Sequence, residues 1–124
     1  MKKIILIAVL LISVTIYSQE VKEFNIKTID TYRNGYVSES TKAEGKATLK
    51  LYENSGTLII QFTDGETKFT FNQYKYVLDG YFVSVPKAKF YNGGKYLWTG
   101  ELLINLKGTI KFKNPDNGYE LGFN

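Results

Sequence analysis

The sequence has 124 residues and a formal charge of +4, and it contains neither cysteine nor histidine. These two absences exclude disulfides, Ser–His and Cys–His nucleophile systems, and metal sites built on thiolates or imidazoles. The basic residues are lysines apart from Arg33, whereas nucleic-acid-binding surfaces are usually denser in basic residues and richer in arginine. We therefore expect no nucleic-acid partner.

The first 18 residues have the layout of a secretory signal peptide. Lys2 and Lys3 precede nine apolar residues at positions 4–12, and small polar residues lead to a predicted cleavage site after Ser18 or one residue later. The alternative is a retained membrane anchor, but a membrane-spanning helix needs about 20 apolar residues. We predict that residues 1–18 are removed and that residues 19–124 form one exported domain, periplasmic or extracellular. No second long apolar stretch follows, so we expect no transmembrane segment in the mature chain.

Apolar residues recur at every second position through the rest of the chain, as in Leu58, Ile60 and Phe62. Side chains two apart share one face of a β-strand, whereas a helix places its apolar residues three and four apart. The pattern predicts strands, some of them joined across a bend or bulge, over residues 23–29, 32–38, 45–52, 57–63, 66–72, 75–79, 81–85, 87–91, 95–99, 101–106, 108–113 and 119–123. The polar residues 39–44 are interpreted as a loop or a short helical turn.

Glycine-containing turn sequences separate these segments. Asp64-Gly65 is typical of a tight hairpin, and Asp79-Gly80 is a similar pair further along the chain. Pro86 should begin or border a strand, because proline has no N–H for a sheet. Short connections favour antiparallel pairing between neighbours. The prediction is a single all-β domain, an antiparallel β-sandwich or small meander barrel of eight to ten short strands.

The aromatic residues supply the candidate ligand site. Five of them, close in sequence, could form an amphipathic surface that stacks on a sugar ring or holds a peptide: Tyr76, Tyr81, Tyr91, Tyr96 and Trp98. By strict alternation Tyr96 and Trp98 should share one face of a strand. The competing interpretation is that these rings only stabilise the sheet by cross-strand pairing. A further alternative has Trp98 closing one end of a barrel.

The carboxylates are weaker candidates for chemistry. Asp64, Glu66 and Asp79 could serve a carboxylate-based hydrolase, but they lie at turns, where aspartate is favoured for local hydrogen bonding. Asn114, Asp116 and their neighbours lack the downstream glutamate of an EF-hand calcium loop. We predict no catalytic residue, no metal site and no cofactor.

Three functions remain open from the sequence. The first is a non-enzymatic binding module for a small apolar ligand, a glycan or a peptide. The second is a structural or protein-interaction component of the cell envelope, inhibitor-like or pairing through an exposed strand edge. The third is a carboxylate-based hydrolase. The sequence does not give the oligomeric state.

Overall fold

The computed structural model describes residues 20–116 and 118–124, and the described residues form nine β-strands and no helix. The predicted signal peptide lies outside the described residues. The strands are β1 (Glu20–Arg33), β2 (Tyr36–Leu51), β3 (Gly56–Phe62), β4 (Gly65–Phe71), β5 (Lys75–Val77), β6 (Phe82–Asn92), β7 (Lys95–Asn105), β8 (Thr109–Lys113) and β9 (Glu120–Phe123).

Eight of these strands close into an antiparallel barrel. The strand order is β4-β3-β2-β1-β9-β8-β7-β6, a further pairing joins β4 to β6, and β5 pairs only with β6. This arrangement confirms the predicted all-β class and selects the meander barrel over the sandwich. Neighbours in sequence are mostly neighbours in the sheet, as short connections require.

The barrel has two distinct ends. The amino end holds the start of β1, the turn at residues 52–55, the segment from residue 72 to residue 81, and the turn at residues 106–108. The hairpin end holds the turns β1–β2, β3–β4, β6–β7 and β8–β9. Pairing of β1 with β2 runs from Glu20↔Leu51 to Arg33↔Tyr36, whereas β3 covers β2 only from Gly45 onward. The β1–β2 hairpin therefore extends past β3, while on its other side β9 pairs with β1 as far as Tyr32.

Apolar side chains fill the interior of the barrel. Phe69 lies at its centre, stacked on Phe90 with ring centroids 5.0 Å apart and edge-on to Phe112 at 4.9 Å. The largest fully buried side chains come from β1, β2, β3, β4, β6, β7 and β8: Phe69, Phe112, Ile26, Leu49, Leu58, Ile60, Leu102, Ile104, Ile110, Val83 and Val85. An eight-stranded barrel is wide enough either to be filled by its own side chains or to hold one small ligand. In this barrel the side chains occupy the space.

Glycines let aromatic rings lie flat against the wall. A Cβ on Gly56 would lie 2.6 Å from the ring of Phe71, its partner on β4, and a Cβ on Gly100 would lie 2.4 Å from the carbonyl oxygen of Lys113 and 2.9 Å from the Phe112 ring. No side chain fits in either place. Glycine in a strand commonly marks such a close approach, where the wall of a barrel bends sharply.

The polar residues 39–44 belong to β2, and the expectation of a loop or helical turn was wrong. Most of these side chains are exposed, so they carry no alternation of apolar and polar residues. Their strand conformation comes from backbone pairing with β1, from Ser40↔Asp30 to Lys42↔Thr28. The predicted strand over residues 32–38 is likewise interrupted, because Asn34 and Gly35 form the β1–β2 turn with φ of 53° and 81°.

Several predicted segments join into longer strands, as anticipated. Residues 81–85 and 87–91 fall largely within β6, and residues 95–99 and 101–106 within β7. Pro86 does not begin or border a strand. It lies inside β6, where the β6–β7 register shifts between Val85 and Ala88 and where β6 has no partner on its other side. At such a bulge the missing N–H leaves no ladder hydrogen bond broken.

Candidate functional site

The wall of the barrel opens between β6 and the chain that crosses from β4 to β5. β4 pairs with β6 as far as Thr70↔Lys89, and pairing resumes with β5 at Lys75↔Ser84. Residues 71–74 and 85–88 face this wall gap without a strand partner across it. Pro86 contributes to the opening, since it has no N–H to offer.

A groove of about 970 Å³ lies beside the wall gap. It is lined by residues of the β2–β3 turn, the β4–β5 segment and strands β6 to β9: Asn54, Asn72, Gln73, Tyr74, Lys75, Ser84, Val85, Pro86, Glu101, Leu102, Leu103, Lys111, Lys113 and Glu120. A smaller depression of about 340 Å³, lined by Lys87 and Lys89 among others, shares Asn72 and Gln73 with it. These two amide side chains therefore lie between the groove and the smaller depression.

One wall of the groove combines amide groups with an anchored tyrosine. Asn54 comes from the β2–β3 turn, whereas Asn72 and Gln73 are consecutive exposed residues after β4. Tyr74 follows them, and its hydroxyl donates a 2.5 Å hydrogen bond to the carbonyl oxygen of Tyr52. This bond ties the β4–β5 segment to the β2–β3 turn. The two amide-bearing segments are thus held side by side.

The floor of the groove is the outer face of the sheet, where charges of both signs meet. Lys113 on β8 is directly opposite Glu101 on β7 and Glu120 on β9, which makes a row of alternating charge across three strands. Lys111 has its ammonium 5.6 Å from the centre of the Tyr32 ring. A surface of this kind presents hydrogen-bond donors and acceptors together without a strong net charge.

A second cluster of tyrosines adjoins the groove at the amino end. The Tyr74 ring lies edge-on between Phe71 at 6.0 Å and Tyr76 at 5.9 Å. The Tyr76 hydroxyl donates a 2.6 Å hydrogen bond to a carboxylate oxygen of Glu20. Burial, followed by the charge of Glu20, raises the pKa of Tyr74, and burial, followed by the Glu20 hydrogen bond and charge, raises that of Tyr76 further. Both hydroxyls therefore stay protonated donors at neutral pH.

The five aromatic residues predicted as a ligand site lie at two ends of the molecule. Tyr76 and Tyr81 are at the amino end, and Tyr91, Tyr96 and Trp98 are at the hairpin end. Nine residues of extended chain lie between Tyr81 and Tyr91, a span of about 30 Å at roughly 3.3 Å per residue. None of the five lines the groove; the groove tyrosine is Tyr74.

The expectation that Tyr96 and Trp98 share one face is wrong. Tyr96 is opposite Tyr91, whereas Trp98 is opposite Phe90, and the register shifts between the two pairs. The extra residue in β7 reverses the alternation. Tyr96 is exposed, with its hydroxyl 2.8 Å from that of Thr99, while Trp98 packs its ring on Phe90 at 5.0 Å.

Trp98 helps to close the hairpin end of the barrel. Its ring also lies 6.1 Å from that of Phe112, in a stacked orientation. The indole Nε1 is buried and has no hydrogen-bond partner among the described residues. A buried donor without a partner is rare in native structures.

The carboxylates weighed as hydrolase residues do not converge. Asp64 is in the β3–β4 turn at the hairpin end, and Asp79 is in the β5–β6 turn at the amino end. Glu66 is on β4, opposite Gln61. Within residues 20–116 and 118–124, no group of three or more acidic side chains is placed to hold a metal ion.

Sequence reasoning missed the amides of the groove. Asn54 lies in the turn-forming sequence Asn54-Ser55-Gly56, and Asn72 and Gln73 break the alternation directly after Phe71. Two adjacent polar residues at the end of a regular strand were the available sign that the wall is interrupted there. What the sequence could not show is that the β2–β3 turn lies beside them.

In the part of the chain that the structure describes, no helix is long and apolar enough to cross a membrane. Comparison with protein-family models, with curated proteins and with solved structures finds no match.

Proposed function

We propose that this protein is a non-enzymatic binding module and that its groove binds a short glycan. The observation that carries the proposal is the convergence of three amide side chains from two separate segments, Asn54, Asn72 and Gln73, beside Tyr74 on a groove of about 970 Å³. This volume lies in the range of small-molecule sites, about 300–1,000 Å³.

The chemistry of the groove suits a ligand rich in hydroxyl groups. Each amide presents a donor and an acceptor side by side, which can serve two neighbouring hydroxyls of a sugar. The Glu101–Lys113–Glu120 row adds acceptors and a donor on the floor. Tyr74 adds an aromatic ring, a common partner for the apolar face of a pyranose.

A small apolar ligand inside the barrel is a poorer fit. The interior is already filled by side chains such as Phe69, Phe90 and Phe112, whose ring centroids lie 4.9 to 5.1 Å from one another. Such a ligand would have to displace part of this packing, and close-packed interiors resist that.

The test begins with an array of neutral and acidic oligosaccharides, followed by titration calorimetry with the best binder. Replacing Asn72 and Gln73 by alanine should weaken binding about tenfold or more, because each lost hydrogen bond is worth about 0.5–1.5 kcal/mol. Asn25→Ala is the matched control, since this exposed asparagine of β1 does not line the groove. The proposal would be contradicted if no oligosaccharide of the array bound, or if the variant with alanine at both Asn72 and Gln73 bound as tightly as the wild type.

A second candidate function rests on the free edge of β2. Residues Tyr36–Glu44 pair with β1 but not with β3, so one row of backbone groups is available to another strand. This edge favours the alternative of a protein-interaction component that works by strand addition. The check is hydrogen–deuterium exchange with and without a candidate envelope partner. Slower exchange confined to residues 36–44 would support pairing there, and protection elsewhere would count against it.

We further propose that the protein is exported and that residues 1–18 are removed. The support is the sequence pattern of two lysines, nine apolar residues and a small-residue cleavage site. Mass spectrometry of the protein recovered from its native compartment should give Gln19 or Glu20 as the first residue. An intact Met1 in that fraction would refute the cleavage.

A further inference from the structure

The β5–β6 turn holds an apolar side chain in solvent in an unfavourable backbone conformation. Leu78 is 68% exposed and has φ of 52°, followed by Asp79 at 58° and Gly80 at 86°. Left-handed φ is adopted readily by glycine and tolerated by asparagine and aspartate, but it disfavours leucine. Neither solvation nor backbone preference accounts for a leucine here.

Backbone hydrogen bonds nevertheless hold the turn in this conformation. The N–H of Gly80 donates to the carbonyl of Val77 at 3.2 Å, and the N–H of Leu106 in the β7–β8 turn donates to the carbonyl of Tyr81 at 3.0 Å. The surrounding structure thus fixes the conformation that presents Leu78. Strain of this kind often accompanies a functional surface.

The side chains near Leu78 are of the kinds found at the interface of a membrane with water. Tyr81 is 58% exposed, and the ammonium of Lys107 lies 5.4 Å from the centre of its ring. An exposed aliphatic group beside a tyrosine and a lysine is a combination of side chains typical of the boundary between acyl chains and headgroups in a bilayer. Val77, which is partly exposed, precedes Leu78 at the end of β5.

Strand β1 begins at the same end of the barrel as the β5–β6 turn. Tyr76 binds Glu20, the first described residue, through the 2.6 Å hydrogen bond. The apolar run at positions 4–12 precedes Glu20 by only seven intervening residues, which span at most about 25 Å when fully extended. Before residues 1–18 are removed, this short distance brings the amino end of the barrel close to the membrane through which the chain is exported.

We propose that the β5–β6 turn, through Val77, Leu78 and Tyr81, docks on the interfacial layer of a lipid bilayer. The inference is separate from the glycan groove, which none of these three residues lines. It goes beyond the alternative of strand addition as well, since that surface is on β2.

The chain has no cysteine, so a single introduced thiol can carry an environment-sensitive dye on the processed protein that begins at Gln19. The label is placed by Leu78→Cys, and the matched control is Val37→Cys, an exposed apolar residue at the hairpin end. Vesicles are phosphatidylcholine with one fifth phosphatidylglycerol. Without residues 1–18 no apolar run holds the amino end at the vesicle, so a change at position 78 must come from the turn itself.

We expect the emission at position 78 to move to shorter wavelength on adding vesicles and to be quenched by brominated lipid, with neither change at position 37. No shift at position 78, or the same shift at both positions, would overturn the inference. A shift that grows with protein concentration in the absence of vesicles would assign the surface to a second copy of the chain and would also overturn it. Circular dichroism of both labelled variants confirms that each is folded.

Discussion

The hydroxyl of Tyr76 donates a hydrogen bond to the carboxylate of Glu20, 56 positions earlier in the chain. This bond ties β5, the strand outside the eight-stranded barrel, to the beginning of β1. Burial raises the pKa of Tyr76 above the ordinary value of 10.0, and this bond, which requires the protonated phenol, raises it further.

Stability should therefore fall in alkaline solution. The folded state retains the Tyr76 proton at a pH where the unfolded state releases it, so this contribution is complete below pH 10 and is lost as the pH rises above it. Urea unfolding between pH 7 and pH 11.5 should show a smaller alkaline loss for Tyr76→Phe than for the wild type. Tyr36→Phe is the control, because Tyr36 is exposed at the hairpin tip; equal slopes for all three proteins would contradict the assignment.

Gly100→Ala should destabilise the barrel by about 1–3 kcal/mol, the usual range for overpacking a tight site. The added Cβ would meet the carbonyl oxygen of Lys113 and the Phe112 ring, and the backbone atom cannot move aside by a simple rotation. Urea titration followed by circular dichroism measures the change. Gly65→Ala is the control, since a Cβ there meets nothing within 4 Å; similar effects of the two replacements would contradict the predicted clash.

Trp98→Phe should change the free energy of unfolding by less than about 1 kcal/mol, although it removes part of a large ring. The lost contact with Phe90 and Phe112 is offset by removal of a buried N–H without a partner, which costs about 1–3 kcal/mol. Trp98→Ala also removes the N–H but loses every ring contact and leaves a cavity, so it should cost about 3–5 kcal/mol. Chemical denaturation of both variants separates the effects. A large loss in the phenylalanine variant would indicate that the indole N–H has a partner in solution, such as a bound water.

Leu78→Gly should leave the protein as stable or stabilise it by up to about 1 kcal/mol. Replacing leucine removes the cost of its left-handed conformation, about 1–2 kcal/mol. This gain exceeds the extra entropy that a glycine loses on folding, about 0.5–1 kcal/mol. Leu103→Gly is the control, a partly exposed leucine inside β7, and it should lower stability. A clear loss in the Leu78 variant, measured by thermal unfolding, would show that this side chain packs within the fold.

The strands of the barrel were predictable because most of them have one buried and one solvated face. Leu58 and Ile60 on β3, and Phe69 and Phe71 on β4, point into the core at alternate positions, and the sequence shows this period of two directly. The first half of β2 could not be predicted in this way. Its residues are exposed on both faces, so their sequence carries no periodic signal and backbone pairing alone determines the strand.

The candidate site depends on relations that local sequence does not contain. Asn54 and Asn72 come together only because Gly56 pairs with Phe71 and so brings the end of β4 beside the β2–β3 turn. Tyr96 and Trp98 lie on opposite faces of β7 because of a register shift. Simple alternation along the sequence does not predict this shift. Aromatic residues adjacent in sequence were therefore a poor guide to a shared surface.

The two sides of the wall gap are matched in length. Between Thr70↔Lys89 and Lys75↔Ser84 there are four residues on each strand, so pairing resumes in the phase in which it stopped. Adding or deleting one residue on a single side would shift the register of β5 (Lys75–Val77) by one position. Each of its side chains would then point to the opposite face of the sheet. A one-residue insertion on a single side would therefore need a compensating bulge to keep these side chains on their present faces.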